Sequence, residues 1–532
     1  MNGTGGRTDC RCHFVYWPTK PLSMKNGNRL ILLLAIIKFI LPYLLQHPVY
    51  EPHRDEFLYL AEGNHMAWGF MEVPPVLSVF AWLTKAFGNS IFWIKCWPSL
   101  FGALTFVLTA RIAVSLGGKY FSILLCWLPF VLGGFLRVHY LFQPNAPEVF
   151  FWTLMAFNLI RYTETNARRF IYGFAIAAAL GMLTKYSVAF YITALLGGLL
   201  LTRQTHIFKQ RTFLWAALLG FLIFLPNLLW QYSNHFPVVF HMRQLRKTQL
   251  QYIAPSTFLI EQLTTHIPVF FVWMAGLWCT LFTAKGRQYR FIGVAYVIVL
   301  ALLLAGHGKG YYALGAYPVL FAFGAWHLEN FTAAKLKWLR YAMVVVTAAL
   351  GYVLLPIALP MLPPKALAAH YEKHHTARYG VLRWEDLENH PLPQDFADML
   401  GWEEMAQKSA RAWQLLSDEE KKHTLFFCDN YGQAGAVNYY RRKYGLPEAF
   451  SDNASFVYWL PDSIHLTNVL LITDDKQEMR HPFIHDFQSA VAVDSVMNPY
   501  AREQGDLIIL LKGANEPFNR FFAEKIRKAK AR

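Results

Sequence analysis

Long apolar runs recur along the first 361 residues of this chain and constrain its fold more than any other feature. A membrane-spanning helix needs roughly 20 predominantly apolar residues, or somewhat fewer when aromatic residues flank the run. The composition agrees with a protein embedded in a membrane, because 55% of the residues are hydrophobic. We therefore predict a polytopic α-helical membrane protein with about eleven transmembrane helices, near residues 29–46, 92–114, 120–137, 146–161, 170–185, 187–202, 212–230, 267–284, 291–306, 311–328 and 340–361.

The net charge of +16 would suggest a nucleic-acid partner in a soluble protein. Here the basic residues instead cluster in short connections between alternate apolar runs, as in "RYTETNARRF" and "AKGRQYR". This is the distribution that the positive-inside rule expects, so we expect membrane lipids around the protein and no nucleic acid. Residues 1–28 are polar and basic and are predicted to form a cytoplasmic tail, although Met24 is equally compatible with being the true start.

The remaining connections are longer and mixed in charge, and they fall on the opposite, outer side of the membrane. They include an opening loop, residues 47–91, and the whole chain after residue 361. Residues 362–532 have the composition of a soluble domain. We predict that this domain is α/β, with an amphipathic helix in "GWEEMAQKSARAWQLLSDEEKKHTLFF" and buried strands in "LTNVLLITDD" and "DLIILLKG".

The opening loop carries an unusual concentration of charge in "VYEPHRDEFLYLAEGNHMAWGF". A carboxylate here is a candidate general base, and the alternative is a solvated interfacial helix whose acids face water. Glu56 lies at the edge of the helical face that carries Asp55. Glu62 is expected to be a solvated bystander. The spacing places four residues on that face: Asp55, Tyr59, Glu62 and Met66.

Several basic residues also fall on the outer side, against the positive-inside bias. Arginine and lysine at such positions are suited to binding a phosphate. The alternative is that the side chain extends towards water without a functional role. The candidates stand near helix ends and in one long loop: Lys185, Arg243, Arg246 and Lys309.

Taken in order, several segments resemble the landmarks of the bacterial family 39 glycosyltransferases. These segments are "HRDEFLYLAEGNHMAWGF", "LFQPNAPEVFFWTL", "GMLTKYSVAF", "GHGKGYYALGAYP" and, in the C-terminal part, "NYGQAGAVNYYRRKYG". Members of this family are integral membrane enzymes of the GT-C fold and are similar to the protein O-mannosyltransferases and the lipid A aminoarabinose transferase. The resemblance covers most of the chain from about Arg29 onward. It implies a GT-C-type enzyme of the bacterial plasma (inner) membrane with its C-terminal domain on the outer side.

The resemblance implies transfer of a sugar from a polyprenyl-phosphate donor to an extracytoplasmic acceptor, with inversion at the anomeric carbon. Asp55 matches the acid of the family's first outer loop and is the expected base, with Glu56 beside it. The basic candidates would stabilise the leaving phosphate, and Lys185 and Lys309 match the family landmarks best. Tyr311 and Tyr312 are expected either to line the sugar or lipid groove or to belong to the interfacial aromatic belt.

One position departs from the family pattern. Many relatives carry an acid in the second outer loop, where this chain has Asn145, so either Glu148 substitutes one turn later or the site is not acidic here. Glu72 and His241 are candidate ligands for a divalent cation, and a structural use of each residue is the alternative. No other cofactor is indicated. The acceptor stays open among a glycolipid, a polymer and a protein.

Two other classes of function compete with the transferase. A solute transporter or lipid flippase would carry buried charges at the middle of the membrane, often in repeated halves. A scaffold protein built around the C-terminal domain would leave the acid pair and the outer lysines unexplained. Crowding of the charged candidates on one membrane surface favours the transferase.

Overall fold

The computed structural model describes residues 24–461 and 465–530, so most of the predicted N-terminal tail lies outside the described residues. Helices dominate the part before residue 362. In chain order they are α1 Met24–Leu45, α2 Arg54–Glu62, α3 Val76–Ala86, α4 Ile91–Ser115, α5 Tyr120–Leu132, α6 Phe135–Val138, α7 Asn145–Thr165, α8 Arg169–Met182, α9 Val188–Leu201, α10 Arg211–Ser233, α11 Pro237–Thr248, α12 Pro255–Thr264, α13 Phe270–Phe282, α14 Arg290–Ala305, α15 Tyr317–Phe331 and α16 Lys337–Ala358.

Each of the eleven predicted runs overlaps at least one of these helices. By length and composition, five helical segments among the described residues are able to cross a membrane: Asn26–Leu45, Ile91–Ser115, Arg211–Ser233, Arg287–Ala305 and Lys337–Ala358. A sixth is added if α12 and the helical segment after it, which meet at 60°, count as one span. Only 11% of the apolar window of α10 is buried in the protein, so this helix presents its side chains to lipid. The chain is a multi-pass membrane protein.

The other predicted spans form shorter helices. α8 and α9 have 14 residues each, which at a rise of 1.5 Å per residue gives about 21 Å, less than the roughly 30 Å of a hydrocarbon core. The run predicted at 120–137 breaks where α5 ends at Leu132 and α6 begins at Phe135, because two glycines separate them. The total of eleven spans therefore stays a prediction.

The closest helix pair in the membrane part is α13 with α15. A Cβ atom added at Gly276 would lie 1.9 Å from the carbonyl oxygen of Leu320, and one added at Gly324 would lie 1.8 Å from that of Val272. The two backbones touch at this crossing, and only glycine permits such an approach. Small residues serve the same purpose in many membrane helix pairs.

The C-terminal part contains all five described strands and the last six α-helices. Its elements are α17 Pro364–Lys373, α18 Gln394–Ala397, α19 Trp402–Gln414, α20 Asp418–Lys422, β1 Thr424–Cys428, α21 Tyr431–Tyr444, β2 Ala449–Phe450, β3 Asn468–Thr473, β4 Phe487–Ser495, β5 Leu507–Ala514 and α22 Glu516–Lys530. The sheet order is β2-β1-β3-β5-β4, with β1 parallel to β2 and β3, and β5 antiparallel to β3 and β4.

Both strands predicted from the sequence are present as β3 and β5. The amphipathic helix predicted over residues 401–427 is too long, because α19 ends at Gln414 and β1 begins at Thr424. The apolar run "LFF" at its end pairs with β3 and is buried in the sheet. A short apolar run fits a buried strand and a helix equally well, and here tertiary pairing decides for the strand.

The opening loop and the C-terminal part share one hydrophobic core. Phe57 in α2 is fully buried and its ring contacts the rings of Trp402, Tyr439 and Tyr440, at centroid distances of 5.5, 5.5 and 6.5 Å. Helix α2 is therefore covered by α19 and α21. The C-terminal part consequently lies directly on the loop that carries the predicted catalytic acids.

Candidate active site

Helix α2 begins with a capping box that sets the position of its acids. The His53 Nδ1 atom accepts a hydrogen bond from the backbone N–H of Asp55 at 3.1 Å, and Glu56 Oε2 accepts one from the backbone N–H of His53 at 2.7 Å. Such reciprocal bonds satisfy N–H groups that a helix leaves unpaired at its start. The sequence "HRDE" thus fixes the first turn of α2.

Glu56 is fully buried and forms an ion pair with Lys95, a residue of α4 that is also buried. The Lys95 Nζ atom lies 2.7 and 2.6 Å from the two carboxylate oxygens, and the backbone N–H of Phe142 donates to Oε1 at 2.6 Å. The ammonium also lies 4.1 Å from the centroid of the Tyr140 ring. Because Glu56 is fully buried and Lys95 balances its charge, this geometry favours a structural role for it, and its catalytic role beside Asp55 remains a prediction.

Asp55 points the other way and is only half-buried. Its Oδ1 atom accepts a hydrogen bond from the hydroxyl of Tyr431 at 2.7 Å, and its Oδ2 atom accepts one from the side-chain amide of Gln143 at 3.0 Å. Both donors are neutral, so neither of them cancels the charge of the carboxylate. A carboxylate held in this way is oriented and still able to accept a proton.

Lys185 lies in the connection between α8 and α9 and meets the start of α7. Its Nζ atom donates to Asn145 Oδ1 at 2.7 Å and to Glu148 Oε2 at 2.9 Å, while the Ser187 hydroxyl donates to the other Glu148 oxygen. An ammonium has three donors, so these two contacts leave one for a ligand. Glu148 thus contacts the same ammonium as Asn145, which lies one turn earlier, and its substitution for the missing acid of the second loop remains a prediction.

A chain of side-chain amides connects the two charged groups. The Asn145 Nδ2 atom donates to Gln143 Oε1 at 3.2 Å, and Gln143 in turn donates to Asp55. Asp55 and Lys185 are thereby joined through Gln143 and Asn145, although they lie 130 residues apart in sequence. The structure thus connects a carboxylate without a described ion-pair partner to an ammonium through two neutral side chains.

Tyr311 and Tyr312 complete this side of the cluster. Their ring centroids lie 5.6 and 4.9 Å from the Lys185 Nζ atom and 4.7 Å from each other. Lys309 precedes them, and its Nζ atom donates to Gln249 Oε1 at 2.7 Å. The two tyrosines therefore contact the predicted phosphate-binding lysine, whereas Lys309 contacts the segment after α11.

The predicted residues on α11 are not joined to this cluster by any described contact. Arg243 and Arg246 are exposed, and His241 is half-buried on the same helix. Neither arginine has a described ion-pair partner within 4.0 Å. Their place in the site remains a prediction.

Glu72 does not meet His241 in any described set of metal ligands. Two groups of three potential ligands occur among the described residues: His53 with Asp395 and Asp398, and Asp475 with Glu478 and His481. Glu72 Oε2 instead accepts a hydrogen bond from the Ser455 hydroxyl in the C-terminal part. Burial raises the pKa of Glu72 to about 7. The divalent cation remains a prediction.

The prediction that Glu62 is solvated was wrong. Its side chain is fully buried, and neither carboxylate oxygen has a hydrogen-bond partner among the described residues. Burial, and then the nearby charge of Glu72, raises its pKa well above the usual value. The helical face predicted to extend to Met66 is also shorter, because α2 ends at Glu62.

Two residues that hold the acids of α2 were missed by reasoning from the sequence. Lys95 lies inside an apolar run that was predicted only as a span, although a lysine at membrane depth is itself a signal of a buried partner. Tyr431 lies in "NYGQAGA", a segment that indicates only the family resemblance. No local pattern connects it with Asp55, which stands 376 residues earlier.

Comparisons with known proteins bear on the fold and on the class of enzyme. The family model described as dolichyl-phosphate-mannose-protein mannosyltransferase matches residues 72–230, less than a third of the chain. A search of curated protein sequences finds no match.

Among solved structures, ArnT from Cupriavidus metallidurans bound to undecaprenyl phosphate is similar, with a TM-score of 0.60 and 13% identity. The match covers 92% of this chain and 98% of that one. The apo state of the same protein matches over the same shares, with a TM-score of 0.60 and 12% identity. The oligosaccharyltransferase AglB from Archaeoglobus fulgidus gives 0.48 at 10% identity, covering 86% of this chain and 70% of that one.

At these identities the structural matches establish the fold, and the family model adds the class of enzyme. The resemblance predicted from the ordered sequence landmarks is confirmed. The chain is a membrane-bound glycosyltransferase with the GT-C fold.

Proposed function

We propose that this protein moves a sugar from a polyprenyl-phosphate donor to an extracytoplasmic acceptor, with inversion, and that Asp55 is the base. The observation that carries the proposal is the amide chain that joins Asp55 to Lys185. It offers a proton acceptor at one end and a cation for a phosphate at the other.

In this reaction the acceptor hydroxyl or amine loses its proton to the Asp55 carboxylate. Its oxygen or nitrogen attacks the anomeric carbon from the face opposite the phosphate. The bond between that carbon and the phosphate oxygen breaks, and the polyprenyl phosphate leaves with the electron pair. Lys185 stabilises the growing negative charge, and preorganised groups of this kind contribute strongly to catalysis.

Glu148 and Asn145 hold the Lys185 ammonium in place and use two of its donors. We assign the third donor to the donor phosphate and the faces of Tyr311 and Tyr312 to the sugar or the lipid chain. Lys309, Arg243 and Arg246 are proposed as further contacts to the phosphate or to the lipid headgroups.

We further propose eleven spans in the bacterial inner membrane, with the C-terminal part on the outer side. The acceptor, whether a glycolipid, a polymer or a protein, then approaches from outside the cell. Because the proposed leaving group already has a protein cation, a divalent metal would be an addition to this site rather than its core. The ArnT structure with undecaprenyl phosphate supports the choice of donor class.

A transporter or flippase fits the placement of these residues less well. Asp55, Lys185 and Tyr311 all stand in connections or at helix ends, not on broken helices at the middle of the membrane. The same residues are, however, also able to bind a lipid phosphate without chemistry. Release of free polyprenyl phosphate therefore separates the two functions.

The test uses purified protein with a panel of undecaprenyl-phosphate-linked hexoses, beginning with mannose, and pentoses. A bacterial membrane extract supplies the acceptor. We expect Asp55→Asn to lower turnover by about 10²- to 10⁴-fold, as for a lost general base. The matched control is Asp418→Asn, because that side chain is 97% exposed. Wild-type turnover in Asp55→Asn, or donor translocation without release of polyprenyl phosphate, would contradict the proposal.

A further inference from the structure

The segment Asn430–Gly435, "NYGQAG", starts α21 and has a defined local structure. Asn430 caps the helix, since its Oδ1 atom accepts hydrogen bonds from the backbone N–H groups of Gly432 and Gln433 at 2.9 and 3.1 Å. The Gln433 Oε1 atom in turn accepts a hydrogen bond from the backbone N–H of Asn430 at 3.3 Å. The capping box fixes the direction in which the next side chain, Tyr431, leaves the helix.

Two glycines in this segment let α21 lie directly on α2. A Cβ atom at Gly432 would lie 2.6 Å from Arg54 Cγ, and one at Gly435 would lie 2.9 Å from the backbone carbonyl carbon and oxygen of Phe57. Any larger residue at Gly435 would push against the backbone of α2. The glycines therefore set the distance between the C-terminal part and the first turn of α2.

Two buried polar contacts lie at this junction, one within the C-terminal part and one between that part and α2. Gln433 Nε2 donates to Asp506 Oδ2 at 2.6 Å, and Arg54 Nε lies 3.7 Å from Glu503 Oε1. The Arg54 guanidinium also lies 5.0 Å from the centroid of the Tyr431 ring. Tyr431 is thus held between a cap, a cation and a close helix contact, and its hydroxyl reaches Asp55 at 2.7 Å.

We propose that Tyr431 is a positioning residue for the base, so that the C-terminal part completes the active site of the membrane part. This inference rests on the proposed function of Asp55. Tyr431 and Gln143 hold one carboxylate oxygen each, which stops the carboxylate from rotating and leaves a second lone pair on each oxygen to take a proton. The remaining residues of "NYGQAG" act through Tyr431, by docking α21 on α2.

The test compares Tyr431→Phe with Tyr444→Phe in the full-length protein. Tyr444 lies in the same helix, and its hydroxyl donates to Glu403 near the surface at 2.6 Å, so the chemical change is matched. We expect Tyr431→Phe to lower kcat by about 10- to 100-fold, as for a lost hydrogen bond to a charged group. The KM for undecaprenyl phosphate mannose, or for the best donor of the panel, and the melting temperature should stay near wild type. Tyr444→Phe should change neither kcat nor KM.

A double variant distinguishes positioning from a general structural effect. If Tyr431 acts through Asp55, Asp55→Asn combined with Tyr431→Phe should be no slower than Asp55→Asn alone. Wild-type kcat in Tyr431→Phe, or a fully multiplicative double variant, would overturn the inference while leaving Asp55 as the base. Wild-type activity in Asp55→Asn would instead overturn the proposed function itself.

Discussion

At the first turn of α2 every carboxylate oxygen has a described donor, whereas at its last turn Glu62 has none. Asp55 and Glu56 receive hydrogen bonds from α21, α4 and the loop before α7. Glu62 is as fully buried as Glu56, and it lies near Glu72, a second buried acid of the opening loop. A single helix of nine residues thus carries well-satisfied acids at one end and a buried acid without a described donor at the other.

The difference shows that the surroundings, and not the residue type, decide what a buried acid does. The satisfied end is rigid, and rigidity is what a catalytic base requires. The unsatisfied end favours protonated carboxyl groups, because burial disfavours their charged forms. The loop that carries the base is therefore firmly attached on one side and sensitive to pH on the other.

The largest effect is expected from breaking the satisfied end. Lys95→Met leaves Glu56 buried and unpaired, which should lower the free energy of unfolding by about 3–5 kcal/mol. Thermal unfolding in detergent, or urea unfolding, measures this loss. The double variant Lys95→Met with Glu56→Gln should recover a large part of it. If the single variant is as stable as wild type, the ion pair does not hold the first turn.

A smaller effect, of opposite sign, is expected at Glu72, beside the last turn of α2. The raised pKa of Glu72 means that the folded protein binds more protons than the unfolded chain between pH 4.5 and about 7, so stability should fall as pH rises through this range. Glu72→Gln removes the ionisation and keeps an acceptor for Ser455. It should add about 1–3 kcal/mol at pH 8 and little at pH 4.

Melting temperatures measured across this pH range test the second prediction. Glu419→Gln is the matched control, because that carboxylate is 73% exposed on α20. It should leave the pH dependence of stability unchanged. An identical pH dependence in Glu72→Gln and wild type would show that the two ends of α2 do not differ in the way described.

The sequence was sufficient to predict the class of fold and part of the site. Asp55, Lys185 and the two tyrosines were expected on the outer side of the membrane, because of the charge distribution among the segments that connect the spans. They meet in the structure. Glu62 was misjudged, because helical spacing says which residues share a face and not what covers that face. Part of what covers α2 is helix α21, whose Tyr431 stands 376 residues after Asp55.

The same limit explains Tyr431 and Lys95. Tyr431 contacts Asp55 across 376 residues, and Lys95 pairs with Glu56 across 39 residues. Neither pair has a local period or motif that connects its members. Long-range contacts of this kind depend on how the helices and the sheet pack, which a single sequence does not reveal.

The central claim is that Asp55, at one end of the amide chain, is the base and that Lys185, at the other end, binds the phosphate. Donor binding tests this claim most directly. Binding of polyprenyl phosphate to the purified protein is measured by native mass spectrometry for the wild type, Asp55→Asn and Lys185→Met. We expect Lys185→Met to raise Kd at least about tenfold, as for a lost charge-assisted contact, and Asp55→Asn to bind like wild type while it fails to transfer sugar. Weaker binding in Asp55→Asn together with unchanged binding in Lys185→Met would contradict the assignment of base and phosphate site.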